Sequence, residues 1–347
     1  MSGYPCRVAG LGWVTPLGCD LEEVADAIAR RAVVEPRCVS NPETGREHFY
    51  LPVPAEAVAH LGRHARLRRS SAISYFAVAA AEAALADARL TLTTELAART
   101  AVVLAVSNGG VVYTRRFYEQ IVKGGAASAS PLLFPETVYN APASHLAAFL
   151  GLDGATYTLV GDNSVGLSAL HFGAQLIALG DADHCLVVGC EELDWILCEA
   201  YRDWRLSRTP LAEGAGAVLL AREGPLTVTT HAGVPFFRQR EAAAALSRVL
   251  GETLAAGSAD CVFTSANDTF ADRQERTVLT ERLPRSPLIA PKRTLGEAPG
   301  ASALWQVITA SLAVRRGEAT NALVSVVGFN QQASAAVVSA EPDYSKS

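Results

Sequence analysis

The stretch TLVGDNSVGLSALHFGAQLIALGDADHCLVVGCEEL, residues 158–193, reads as strand, tight turn, long helix, turn and strand. Within it Leu167, Leu170, Ala174, Ile177 and Ala178 recur at helical spacing with small residues between them. A helix that is apolar nearly all round belongs in the middle of a molecule. Its first turn faces Asp162, Asn163 and Ser164. Free backbone N–H groups there favour an anion or a polarised carbonyl oxygen. A turn of this form commonly presents a nucleophile. Here the position holds Asn163, whose amide is a poor one.

The bulk numbers set the frame. The chain has 347 residues, 50% hydrophobic and 19% charged, with a formal charge of −5. That is enough for a large core in one unit or two fused halves. The acidic balance argues against nucleic-acid binding, for which a basic face is the rule. No apolar run is long enough to cross a membrane, and MSGYPCRVAGLGW lacks a signal-peptide pattern. The seven cysteines are scattered and sit mostly in apolar settings, which reads as free thiols in a reducing cytoplasm. Cys185 and Cys190 fall on one strand with no partners at ligand spacing, so neither a metal nor another cofactor is expected.

Outward from the opening stretch, short apolar strands alternate with Ala-rich helices. Strand candidates are CRVAGLGWV, TAVVLAVSN, ATYTLVG, HCLVVGCEEL, GAVLLA, LTVTTHAG, DCVFTSAN, ALVSVVGFN and SAAVVSAE. The spacing predicts helices over 21–31, 71–88, 115–123, 143–150, 166–179, 239–256, 273–282 and 300–315. Continuous apolar strands separated by helices imply an α/β protein whose sheets are covered on both faces.

An ordered series of segments then resembles the β-ketoacyl synthases. VAGLGWVTPLG (8–18) is similar to their first strand and turn, and SSAISYFAVAAAEAALADA (70–88) to their long helix. SNGG (107–110), SPLLFPETVYNAPASHLAAFLGLDGATYTL (130–159), GDADHCLVVGCEE (180–192), LAEGAGAVLLA (211–221) and a degraded VVGFNQQASAAVVSA (326–340) follow in family order. The resemblance implies a thiolase-like fold: two pseudo-duplicated βαβαβαββ halves, 1–222 and 223–347, in one layered α-β-α-β-α core.

That family condenses acyl groups with one Cys, two His and a nearby Lys. The Cys holds the acyl group, and the histidines assist decarboxylation of the malonyl donor and stabilise the enolate. A thiolate serves because it both attacks and leaves well. The matching positions here are Asn163 for the Cys, Asn267 in SANDTFADRQE for the first His, and Glu297 in KRTLGE for the second, with Lys292 and Gly296 retained. All seven histidines lie elsewhere: His171 inside the central helix, His145 and His184 at a helix surface and a strand end, and His48, His60, His64 and His231 in polar or loop settings. DWILCEAYRDWRLSRTP (194–210) is shorter than the family's loop, and the glycines expected after Gly328 and Phe329 are replaced by Asn330, Gln331 and Gln332.

By this resemblance the chain is expected to be a non-catalytic subunit, a chain length factor, paired in the cytoplasm with an active Cys-bearing ketosynthase and visited by an acyl carrier protein. Asn163 departs from the Gln often found in such subunits. Tunnel or interface candidates are Leu133, Phe134, Val138, Tyr139 and Phe329, with 108–112 as a weaker set. Residues 156–160 are expected to pair with the partner's sheet. In GRHARLRRS, Arg63, Arg66, Arg68 and Arg69 form a basic segment suited to an acidic carrier protein. Two alternatives stand: an acyltransferase or hydrolase using Ser164 with Glu297 and Lys292, and a non-catalytic homodimer that binds an acyl group or carrier protein. Against the first, Ser164 at a helix start reads as a cap, and Glu297 as an ion-pair partner of Lys292.

Overall fold

The computed structural model describes residues 4–254, 258–329 and 332–340. The first half runs β1 (Tyr4–Val14), α1 (Leu21–Ala29), β2 (Arg37–Ser40), β3 (Glu47–Leu51), α2 (Ala72–Asp87), α3 (Thr94–Ala98), β4 (Thr100–Val106) and α4 (Val111–Gly124), then α5 (Ala141–Leu150), β5 (Thr156–Val160), α6 (Val165–Leu179), β6 (His184–Glu191), α7 (Trp195–Asp203), β7 (Leu211–Ala212) and β8 (Gly214–Ala221). The second runs β9 (Leu226–Thr230), β10 (Val234–Pro235), α8 (Ala242–Thr253), β11 (Cys261–Phe263), α9 (Phe270–Arg282), β12 (Leu288–Ile289), α10 (Lys292–Leu295), α11 (Ser302–Arg315), β13 (Asn321–Val327) and β14 (Gln332–Ala340).

The same pairing pattern occurs twice. From the outer edge inward the first half reads β5-β4-β6-β8-β1 and the second β12-β11-β13-β14-β9. In each, the outer two pairings are parallel and the inner two antiparallel. Antiparallel pairing of β1 with β9 joins the halves.

Three apolar clusters show the layers. Successive residues of a strand face opposite sides. On β4, Ala101, Val103 and Ala105 belong to the central cluster, and Val102, Leu104 and Val106 to a cluster covered by α2. On β13, Ala322, Val324 and Val326 join the central cluster, while Leu323 and Val327 pack under α8 and α9. The central cluster is built on α6 and α11. The layers are therefore α2/α5, sheet, α6/α11, sheet, α8/α9. A Cβ at Gly166 of α6 would stand 2.9 Å from the Ala303 Cβ of α11, so the absent side chain sets how closely these helices approach.

Several elements differ from the sequence reading. Residues 194–210 hold a helix, α7, as well as loop: Asp194 Oδ1 caps it by accepting from the Ile196 N–H at 3.2 Å, and Cys198 and Tyr201, three apart, are buried on its inner side. His48 lies on β3 and is buried, where a polar or loop setting was expected. Cys38 is exposed, unlike the buried cysteines. The end of the expected 239–256 helix and the replacements Asn330 and Gln331 fall outside the described residues.

Candidate functional site

The three positions that would carry condensing chemistry are each buried, at 1% exposure for Asn163, 2% for Asn267 and 0% for Glu297. Asn163 sits in the turn between β5 and α6. Its Oδ1 accepts the Phe329 N–H at 3.4 Å. The Phe329 ring meets Tyr201 edge to face with centroids 5.7 Å apart. Tyr201 lies near both Glu191 and Glu297, and its burial pushes the phenol far up. The turn thus faces an aromatic pair.

Ser164 does not cap α6. Its Oγ donates to Asp162 Oδ1 at 2.6 Å, and its N–H donates to the same oxygen at 2.9 Å. Asp162 also stands where a Cβ at Gly328 would be, 2.1 Å from its Oδ2, so Gly328 is the residue that admits this carboxylate. Glu297 is bonded elsewhere, to Lys292 and Asn267.

Asn267, Lys292 and Glu297 form one set. Lys292 Nζ donates to Glu297 Oε2 at 2.8 Å, and Asn267 Nδ2 donates to the same oxygen at 3.0 Å. Asn267 Nδ2 also reaches the Leu206 carbonyl at 3.3 Å, and Thr269 Oγ1 donates to Asn267 Oδ1 at 2.7 Å. Asp272 accepts the N–H groups of Asn267 and Asp268, fixing the loop. Glu275 accepts from Ser265 and Ser325. Its burial pushes the carboxyl up to about 7.

Two further carboxylates close the centre. Glu191 accepts from the N–H and Nδ2 of Asn108 and from the Gly300 N–H, and burial pushes it up to about 8. Glu192 accepts from Ser71 Oγ and the N–H groups of Ile73 and Val112 at 2.5–3.0 Å, so it ties the starts of α2 and α4 together. Of residues 108–112, Asn108 and Val112 thus bond these buried acids.

The N-terminal domain of the β-ketoacyl synthases matches residues 57–224. Over that stretch, just under half of its length, the chain is similar to the β-ketoacyl synthases. It is 30% identical over 125 residues to 3-oxoacyl-(acyl-carrier-protein) synthase 2 of Vibrio harveyi, which covers 36% of this chain and 30% of that protein, so the match spans less than a third of that relative's length. It is 28% identical over 349 residues to polyketide β-ketoacyl synthase 2 of Streptomyces cyaneus, covering 86% of this chain and 82% of that one. The solved ishigamide ketosynthase/chain length factor is similar in fold, with a TM-score of 0.77 at 21% identity over 98% of this chain and 100% of that one.

Within this ketosynthase-like fold the remaining sequence candidates lie at or near the surface. Phe134, Val138 and Tyr139 are exposed and Leu133 is half-buried. Phe134 packs against Phe117, and Tyr139 lies over Gly109. Among the described tunnel candidates Phe329 is the one that bonds the buried set, through Asn163. Arg63, Arg66, Arg68 and Arg69 are all exposed. Of the histidines, His171 bonds Thr230 and Gln175, and His145 bonds the buried Glu136 at 2.7 Å and is less open than a surface helix position suggests. Among the described residues no His/Cys/Asp/Glu group could hold a metal ion, and no helix is long and apolar enough to cross a membrane. The sequence reading missed Tyr201 and Glu191. The i, i+3 apolar pair Cys198/Tyr201 and a carboxylate pair closing a wholly apolar strand were the available signals.

Proposed function

We propose that this chain is a non-catalytic ketosynthase-like subunit, a chain length factor, that pairs with a Cys-bearing ketosynthase and walls the tunnel for its growing acyl or polyketide chain. The two halves, 1–222 and 223–347, act as one unit in this reading. The observation that carries it is the state of the buried positions. Asn163 offers an amide, and the groups at the two histidine positions bond each other and Lys292. A nucleophile needs a base in reach, and the hydroxyl of Ser164, the alternative, bonds Asp162, with no histidine bonded to it among the described residues.

A second feature supports a partner. β5 is the outermost strand of its side of the sheet and has no neighbour beyond it. Tyr157 and Val160 on it are exposed, as are Leu132, Phe134, Val138 and Tyr139 nearby in sequence. An open edge with apolar side chains is a pairing surface. The similar solved structures include a ketosynthase with its chain length factor and a type II ketosynthase with its acyl carrier protein. By analogy the exposed arginines 63, 66, 68 and 69 take an acidic carrier protein, in the cytoplasm.

Native co-purification tests this. The tagged chain, isolated from its own host, is expected in a one-to-one complex with a Cys-containing ketosynthase, and Phe134 or Tyr139 variants are expected to change product length. A stable self-dimer without such a partner would sink the reading.

A further inference from the structure

We infer that Lys292 and Asn267 join through an intramolecular isopeptide bond, with Glu297 carrying the proton. Such a bond needs an amine, a carboxamide and an acid held together away from water. Lys292, Asn267 and Glu297 are 1%, 2% and 0% exposed, and both nitrogens bond the same oxygen, Glu297 Oε2, at 2.8 and 3.0 Å.

Two further observations point the same way. Glu297 Oε1 is buried with no hydrogen-bond partner. A charged carboxylate left half-satisfied in a dry site is costly. Lys292, which can donate three hydrogen bonds, has Glu297 as its one side-chain partner among the described residues. Proton transfer along the 2.8 Å bond removes both charges and leaves a neutral amine, the form that attacks. The Thr269 hydroxyl, donating to Asn267 Oδ1 at 2.7 Å, polarises the carbonyl under attack and supports the negative oxygen that follows.

The step balances without a co-reactant. Lys292 Nζ attacks Asn267 Cγ; the Nζ–Cγ bond forms and the Cγ–Nδ2 bond breaks. Glu297 gives its proton to the departing nitrogen, which leaves as ammonia, and takes one back from the attacking nitrogen. Nothing is oxidised or reduced. The product ties the loop after β11 to α10 covalently. It is independent of any partner subunit.

Intact-mass measurement of the purified full chain tests it. The wild type is expected to weigh one ammonia less than its sequence, and peptide mapping to recover the segments holding Asn267 and Lys292 as one joined species. Lys292→Arg and Glu297→Gln are expected to keep the full mass. A wild type of full sequence mass overturns the proposal. So does a Lys292→Arg chain that still lacks an ammonia, which would assign the loss to ring closure between Asn267 and Asp268. If either variant fails to fold, the wild-type peptide map decides by itself: joined segments support the bond and separate ones exclude it.

Discussion

The two halves share a strand order and differ at their outer edges. In the first half the edge is β5, five residues long, with Tyr157 and Val160 exposed. In the second it is β12, two residues long. A short edge is a common way to stop pairing with another chain, and a longer apolar edge invites it. The halves also differ at their centres. The turn before α6 in the first half carries Asn163 against an aromatic pair, whereas the second half's contribution, Asn267, Lys292 and Glu297, is locked by mutual buried contacts. In the proposed reading one half meets a partner and the other holds still.

The largest effect should come from spoiling that open edge. Val160→Arg together with Phe134→Asp places charges where apolar contact is expected, while both side chains are already exposed in the isolated chain. Burying unpaired charge costs several kcal/mol, so affinity for the partner should fall by about a hundredfold or more with the thermal midpoint of the isolated chain nearly unchanged. Size-exclusion chromatography with light scattering reads the first and calorimetry the second. Unchanged assembly would remove the distinction between the two edges.

Next is the locked centre of the second half. Lys292→Met leaves Glu297 buried without the donor at Lys292 Nζ, and Glu297→Leu leaves that nitrogen without its acceptor. Breaking a buried pair from one side costs about 3–5 kcal/mol, whereas replacing both members by apolar groups costs much less. Denaturant unfolding of both singles and the double measures this. Additive losses would show that the pair is not coupled.

A smaller loss, about 1–3 kcal/mol, is expected from Gly166→Val, which overfills the α6–α11 contact that both halves share. Denaturant midpoints check it. A neutral result would mean that the helices part easily there.

Stability should also depend on pH through two buried acids, Glu191 and Glu275, and the half-buried Glu213. Glu191 is pushed up to about 8 and Glu213 and Glu275 to about 7, each chiefly by burial. A carboxyl raised in the folded state holds a proton that the unfolded chain releases. Its contribution is full below the ordinary carboxylate range and is lost as pH rises through 7 to 8. The thermal midpoint should therefore fall by several degrees, on the order of 1–3 kcal/mol, between about pH 6 and pH 8.5. Glu191→Gln should flatten the upper part of that curve, and an unaltered slope would exonerate Glu191.

How legible all this was follows from what each signal depends on. The apolar period of residues 165–179 and the unbroken strands were enough for the layers, because burial on all sides leaves a pattern in one segment. The positions of Asn163, Asn267 and Glu297 came from resemblance of motifs, and their burial from the fold. Tyr201 was hidden because α7 depends on a single Asp194 cap and on Cys198 and Tyr201 meeting Tyr50, Leu193 and Leu211 from distant segments. The Lys292–Glu297 pair, five residues apart, was visible locally; Asn267 completes it only through tertiary folding. Glu191 looked like one more charge beside Glu192 until the Asn108 and Gly300 N–H groups were seen to converge on it.

The smallest expected effect concerns the surface of the first half. Arg63, Arg66, Arg68 and Arg69 are exposed and close in sequence. Exposed charges attract through water and are screened by salt within about 10 Å at 0.1 M. Reversing Arg66 and Arg68 to Glu should therefore weaken binding of an acidic carrier protein only severalfold, mainly through the association rate, and the difference should shrink as salt is added. Arg240 and Arg248, exposed on the second half, provide the comparison: reversing them should leave binding unchanged. Surface plasmon resonance at two salt concentrations separates the cases. Equal losses from both pairs would mean that the carrier protein senses net charge, and the contrast between the halves would then stop at the sheet edge.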